Sequence, residues 1–482
     1  MKRWVVLVLV LLVVAGDALA RPGGGDSYSG GGGHGGGGGG GSDGFAILEL
    51  LYWLIRLAIE VPQVGLPLIA IVIGYFIYQA YKQHQNKDWD SGPPVQLERA
   101  ITATDPKTID PGFSPVLFED FVFRLVSTAH RARHSEATLA SVAPYVSPDA
   151  RRSLAKREPV GELVESVVVG ALRMVRIDVA TERTRIAVEL ELNVTTANHT
   201  YYSVETWTFS RVANRESKPP GATRGFPCPN CGAPWQASQT GTQQCASCGE
   251  IVDNGRFDWF VEQIRLRSID ERPPTLTEDV PERGTDLPTY HQPSVAGAMR
   301  KLERDDPAFS EALLLDRLAM IYDQLNRAWS AGDLRPVRGL VSAGLYDYLG
   351  YWVEAYKRQG LSNKLENMRI TRREIAKLTR DKYYDAITIR IWGTGKDTVV
   401  RTESGDHVRG SRLRERAYSE YWTLIRSATR KGPPTTEPAC SNCGAPLQIN
   451  MAGECEHCNA YLAAGEFDWV LSKVEQDDSY RG

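Results

Sequence analysis

The sequence predicts an α+β protein. Two tandem domains each consist of a pair of helices followed by an antiparallel sheet, with a four-cysteine ribbon inserted in the last hairpin and a membrane segment in front of both. Three observations predict this. First, the chain aligns with itself. DPGFSPVLFEDFVFRLVSTAHRA (110–132) answers DPAFSEALLLDRLAMIYDQLNRAW (306–329), and YYSVETWTF (201–209) answers AYSEYWTLI (417–425). CPNCGAPWQ, from Cys228, answers CSNCGAPLQ, from Cys440, and GRFDWFVEQI (255–264) answers GEFDWVLSKV (465–474). A repeat of about 160 residues is too long for a solenoid and suits one domain. Second, within each copy the apolar period changes from helical to alternating. Third, all eight cysteines of the chain fall in the two repeated blocks.

The elements follow in order. MKRWVVLVLVLLVVAGDALA (1–20) has a basic start, an apolar run from Val5 to Val14 and an Ala18-Leu19-Ala20 cleavage signal, the pattern of a secretory signal peptide. The alternative is an uncleaved anchor. Residues 21–44 are a glycine tract with no side chains to bury, so disorder is expected. FAILELLYWLIRLAIE (45–60) carries Glu49, Arg56 and Glu60 among apolar residues, which suits an interfacial amphipathic helix. VPQVGLPLIAIVIGYFIYQAYK (61–82) has no charge before Lys82 and the length of a bilayer span. Lys82, Lys87 and Arg99 follow that span, which places the C-terminal bulk in the cytoplasm and the glycine tract outside. If 45–60 also spanned, the bulk would be exported. Metal-binding thiols favour the reducing side.

Residues 83–112 form a linker, and copy one is expected over 113–270 with its ribbon at 226–250. A second linker covers 271–305, copy two covers 306–476 with its ribbon at 438–460, and 477–482 is a tail. In copy two, Phe309, Leu313, Leu314, Ala319, Ile321, Tyr322, Leu325 and Trp329 give the first helix a broad apolar face. Asp333 is expected to cap a second helix that turns Leu334, Val337, Leu340, Val341, Leu345, Tyr348, Leu349 and Trp352 inward. In copy one, Ser147-Pro148 reads as an N-cap followed by proline at the first helical position. RIAVELELNV (185–194) and DAITIRIWG (385–393) alternate as strands, and SEYWTLIRS (419–427) and FDWVLSKVE (467–475) supply two more. Each ribbon then lies between the last two strands of its copy.

The ribbons read C-x2-C-x13-C-x2-C (Cys228, Cys231, Cys245, Cys248) and C-x2-C-x11-C-x2-C (Cys440, Cys443, Cys455, Cys458). Such paired knuckles bring four thiolates to one tetrahedral ion. Gly232, Gly249, Gly444 and Asn459 follow the knuckles, where a positive φ is needed. Two zinc ions are therefore expected. Four cysteines close the coordination sphere and leave no water to activate, so the sites are structural. An iron–sulfur cluster is the alternative use of four thiolates. A thioredoxin-type redox pair lacks its βαβ frame here.

The passage FSEALLLDRLAMIYDQLNRAWSAGDLRPVRGLVSAGLYDYLGYWVEAYKRQGL (309–361), with the strands that follow it, resembles the Tim-forty-four-like family, named after a peripheral subunit of the mitochondrial inner-membrane import translocase. Bacterial members are similar in having a signal peptide, a glycine-rich tract and one span ahead of the domain. The resemblance covers 306–475 well and copy one more weakly. It implies a strongly curved antiparallel sheet like the nuclear-transport-factor-two cones, membrane association at the bacterial inner membrane, and protein binding. The zinc ribbons and the duplication depart from the mitochondrial member.

The function expected is that of a non-enzymatic scaffold holding a polypeptide partner, such as a translocase component, or a lipid surface. Tyr346, Tyr351 and Tyr356 are the candidate binding residues, taken to be exposed off the apolar face of the second helix. The basic run KRQGLSNKLENMRITRRE (357–374) is a candidate lipid contact or a solvated face. The eight histidines form no pair that recurs between the copies, which speaks against an acid–base site. The net charge of -3 and the absence of Lys and Arg from PWQASQTGTQQ and PLQINMAGE argue against nucleic acid as partner. A ribosome-tethering role needs a basic surface and is the alternative.

Overall fold

The computed structural model describes residues 110–213, 215–218, 226–235, 244–252, 254–271, 286–450, 454–462 and 465–477, with isolated positions 56, 60–63, 67, 480 and 482. The signal peptide, the glycine tract, and most of the interfacial helix and the bilayer span lie outside the described residues. At the described positions before them, Arg56 donates through Nε to Glu60 Oε1 at 2.7 Å, an exposed pair one helical turn apart. Among the described residues no helix is long and apolar enough to cross a membrane.

Copy one starts with α1 (Pro115–Ala132), a short α2 (Glu136–Leu139) with a 3-10 turn, and α3 (Pro148–Ala155). Four antiparallel strands follow in sheet order: β1 (Ser166–Val179), β2 (Arg183–Thr195), β3 (Thr200–Val212) and β4 (Phe260–Glu271). Copy two opens with α4 (Val295–Asp305) and α5 (Glu311–Ala331), then a 3-10 turn and α6 (Ala343–Arg358). Its sheet runs β5 (Leu361–Arg380), β6 (Tyr384–Arg401), β8 (Arg416–Ser427), β9 (Val470–Gln476), and the short β7 (His407–Gly410) pairs with β6. Each copy is thus helices first, then an antiparallel sheet.

The helix starts carry the same chemistry twice. Ser114 and Ser310 each accept, through Oγ, a backbone N–H three residues on, from Leu117 and from Leu313 at 3.3 Å. These bonds satisfy donors that a helix N-terminus leaves open. Ser147 and Ser342 cap the second long helices in the same way, from Ala150 at 3.2 Å and Leu345 at 3.3 Å. The same two serines tie their helix to the last strand of the sheet. Ser147 N donates to Val261 O at 3.0 Å and Ser342 N to Leu471 O at 2.7 Å.

Three expectations are corrected. Asp333 does not cap α6; its carboxylate accepts the N–H of Arg335, at the head of the 3-10 turn, at 3.1 Å. Gly332 ends α5 in the left-handed conformation, and the Asp333 carboxylate is bound by the guanidinium of Arg335 (2.6 Å). The helix starts only at Ser342, because the intervening residues take a 3-10 turn. The linker expected over 271–305 contains α4. The basic run 357–374 is largely β5, a strand that alternation did not reveal. Its register slips at Glu366/Arg369, Ile370/Arg372 and Ile375/Lys377, so bulges break the period of two. β1 was missed for the same reason, with slips at Val169/Ala171 and Met174/Arg176.

Most of each expected inward face is core, while Leu313, Ala319 and Tyr348 are only half-buried. Ile186, Val188, Leu190 and Leu192 are fully buried in copy one, as are Ile387, Ile389 and Ile391 in copy two. Phe309, Leu314, Ile321, Tyr322, Leu325, Trp329, Leu334, Val337, Leu340, Val341, Leu345, Leu349 and Trp352 are buried against the latter sheet. The two copies also pack on each other. Val168 and Tyr202, on the outer face of the first sheet, belong to the copy-two core around α6. Reciprocally, Val116 and Leu117 of α1 lie against Tyr384, Ala386, Ile425 and Val470 of the second sheet. Tyr383 donates its hydroxyl to Ser217 O at 3.1 Å, and Lys473 pairs with Glu119.

Candidate metal centres and the buried frame

Both ribbons sit in the expected hairpins, the first between β3 and β4 and the second between β8 and β9. In each knuckle the backbone folds back on the first cysteine. Gly232 N donates to Cys228 O at 2.9 Å, Gly249 N to Cys245 O, Gly444 N to Cys440 O and Asn459 N to Cys455 O, each at 2.8 Å. Those four residues have φ of 74°, 72°, 72° and 58°, the left-handed region that Gly and Asn enter most easily.

The thiols converge. The Sγ atoms of Cys228 and Cys248 are 3.9 Å apart, as are those of Cys231 and Cys245; in copy two Cys440 and Cys458 are 3.8 Å apart, and Cys443 and Cys455 4.0 Å. In each group all four sulfurs lie within 4.8 Å of one another. A tetrahedron with metal–sulfur bonds of about 2.3 Å has edges of about 3.8 Å, so each group fits one ion. It is too tight for a cluster in which each cysteine ligates a different iron. In each copy an asparagine of the first knuckle also donates to a sulfur: Asn230 Nδ2 to Cys248 and Asn442 Nδ2 to Cys458, both at 3.4 Å. The bond from Asn442 and the Ala460 amide draw the Cys458 thiol down to about 6. At Cys245 burial raises the value, but the amides of Cys248 and Ser247 outweigh it and bring it to about 7. Burial pushes Cys228 and Cys440 up to about 12, so these two need the charge of a cation to become thiolates.

Each ribbon is docked on the 3-10 turn of its own copy through the residue four past the second cysteine. Trp235 Nε1 donates to Ala140 O at 2.9 Å, and Leu447, with Ile449, packs on Gly339. Tyr145 adds a bond from its hydroxyl to Pro227 O at 2.9 Å.

Next to the ribbons lies a duplicated buried network to which the sequence reading assigned no role. Arg211 donates to Asp110 at 2.7 Å and its guanidinium lies 4.4 Å from the Trp259 ring. Arg426 donates to Asp306 at 2.9 Å and to Asp385 at 3.1 Å, 4.7 Å from the Trp469 ring. The network joins the start of the first helix, the third long strand and the FDW segment behind the ribbon. Its signal was present in the aligned stretches, as E-x-W-T-x-x-R at 205–211 and 420–426 and as the D-P before each first helix. A second recurring bond lies inside each sheet: Trp207 Nε1 donates to Glu205 at 2.8 Å and Trp422 Nε1 to Glu420 at 2.9 Å.

The candidate binding tyrosines are not exposed together. Tyr351 and Tyr356 are 5% and 4% exposed and belong to the copy-two core. Tyr351 faces Asn193 and Thr195 of copy one, so contact between the copies uses the surface expected to be free. Tyr346 is half-buried, with the Arg338 guanidinium 4.3 Å above its ring.

Fold and sites together define a class: a duplicated α+β protein with a four-thiol group, able to hold a metal ion, in the last hairpin of each unit. Residues 295–435 match the family model of the Tim44-like domain. The match falls on copy two, from α4 through the first residues after β8. A solved structure described as an "Ntf2 like protein involved in plasmid conjugation" is similar at 9% identity over 74% of this chain and 94% of that chain, with a TM-score of 0.16. Comparison with curated proteins finds no match.

Proposed function

We propose that this is a membrane-anchored, non-enzymatic scaffold whose two units, each with a nuclear-transport-factor-two-like sheet, hold a polypeptide partner or a lipid surface during protein translocation or membrane-protein assembly. The observation that carries the reading is the match of residues 295–435 to the Tim44-like domain. The stretch 61–82, which has no charge before Lys82 and is followed by Lys87, supports a single span with the paired units in the cytoplasm of a bacterial cell. The ions are zinc, one per ribbon, and structural. Four sulfurs around one centre leave no open position for chemistry.

The test is in-cell crosslinking followed by purification of the full chain from membranes. Membrane proteins or translocase components among the crosslinked partners support the scaffold. Recovery of ribosomal proteins alone would replace it with a tether, and recovery of the chain in the soluble fraction would remove the anchor.

A further inference from the structure

Copy one carries a buried charged cluster that copy two lacks. His130 sits in the last turn of α1, Arg133 caps that helix, Arg157 lies just past α3, and Glu205 faces them from β3. They are 0%, 3%, 8% and 0% exposed. Glu205 Oε2 lies 3.4 Å from His130 Nε2, and Oε1 lies 3.3 Å from Arg157 Nε. Arg133 Nη2 donates to Glu158 O at 2.7 Å. Other buried polar atoms are left over: Nε and Nη1 of Arg133, Nη2 of Arg157 and Nδ1 of His130 have no hydrogen-bond partner among the described residues.

The charges do not balance. Two guanidiniums face one buried carboxylate. The Glu158 side chain is exposed and acts on Arg133 through its charge alone. A buried charge that its buried neighbours do not match is strongly destabilising unless a further counter-charge completes it.

Copy two shows that the fold does not require this set. Counted from the N-cap serines Ser114 and Ser310, His130 corresponds to Asn326 and Arg133 to Trp329. Counted from Ser147 and Ser342, Arg157 corresponds to Trp352. The carboxylate is retained as Glu420, but indoles stand where copy one has guanidiniums, and both are buried.

We propose that the interior of copy one binds a small oxyanion, a carboxylate or a phosphate, between Arg133 and Arg157. Guanidinium forks match such oxyanions with two parallel bonds. One negative charge on the ligand balances the cluster. Burial limits the ligand to a free ion or the anionic end of a small molecule. The rim beside Arg157 is the segment after Glu158, where Val160 and Leu163 are exposed. The inference stands apart from the scaffold reading, since it rests on copy one alone.

The experiment titrates the purified full chain in detergent with sodium phosphate and, separately, with sodium acetate at constant ionic strength, by calorimetry and thermal unfolding. Saturable one-to-one binding is expected, with a rise in Tm, and the better probe identifies the head group. R133L and R157L should each weaken binding by about tenfold or more. The double variant R133W/R157W installs the residues of copy two and should fold without binding. E205Q removes the competing carboxylate and should bind more tightly. No saturable binding of either probe overturns the proposal, as does unchanged binding in R133W/R157W. If the arginine variants fail to fold, E205Q decides, and an affinity no tighter than that of the unaltered protein overturns it.

Discussion

Arg211 and Arg426 hold each unit at one point. Each guanidinium is buried, paired with an aspartate ahead of the first helix and laid against the FDW tryptophan. Removing one partner of a buried pair strands the other, which costs about 3–5 kcal/mol. Arg426→Leu should therefore lower copy-two stability by about that amount in chemical denaturation, leaving Asp306 with only the Gly432 amide and Asp385 with only Arg380. A titration prediction belongs to the same scale. Burial holds His130 neutral, below its ordinary value of 6.5, and the carboxylate of Glu205 raises it only in part. The unfolded chain binds that proton from pH 6.5 downward and the native state only at lower pH, so stability falls with acidification below 6.5. Glu205 adds to the same trend. Burial works against its charge, but His130, Arg157 and Trp207 hold it down to about 2, so its contribution is lost as pH falls from about 4.5 towards 2. His130→Asn, the copy-two residue, should flatten the pH dependence just below 6.5, read as Tm against pH. An unchanged slope would assign that limb to other groups.

At the scale of elements, the ribbons are loops that one metal ion each could close. Among the described residues they have little core of their own: Cys440, Cys455 and Leu462 are the buried apolar cluster of the second. The ion therefore supplies much of their folding free energy. Cys440→Ser should reduce bound metal from two ions per chain to one, measured by elemental analysis, and raise hydrogen exchange across the β8–β9 hairpin but not across β3–β4. Retention of two ions would remove the four-thiolate assignment. The helix caps give a smaller effect. Ser342→Ala removes the cap and the hydroxyl bond to Ser472 O (3.4 Å) while keeping the backbone tie to Leu471, and should cost about 1 kcal/mol in chemical denaturation.

At the scale of the whole molecule, the units interlock. Helix α6 has its own sheet on one side and the outer face of the first sheet on the other, while α1 touches the second sheet. Tyr351→Ala should cost about 3–5 kcal/mol by opening a cavity where the copies meet, and should split thermal unfolding into two transitions. A single transition at lower temperature would mean that the copies remain coupled through α1 and Lys473.

The legible features were those that local chemistry dictates. The duplicated blocks, the knuckle spacing with its left-handed Gly and Asn, the serine cap at 147, and the alternating central strands β2 and β6 follow from periods and turn residues close in sequence. The long edge strands β1 and β5 were not legible, because bulges interrupt their alternation. The late start of α6 was hidden because its apolar spacing runs unbroken through a 3-10 turn.

By itself the sequence determined that this protein is a twice-built helix-and-sheet unit with two four-thiol hairpins, since each of these rests on contacts between near neighbours or on internal repetition. Tertiary structure alone decided that Tyr351 and Tyr356 are core rather than surface and that Asp110 and Asp306 anchor the ribbon hairpins. It also decided that His130, Arg133, Arg157 and Glu205 meet inside copy one. Burial and the pairing of distant charges depend on which faces pack together, and helical spacing cannot tell a face that meets a neighbouring unit from one that meets water.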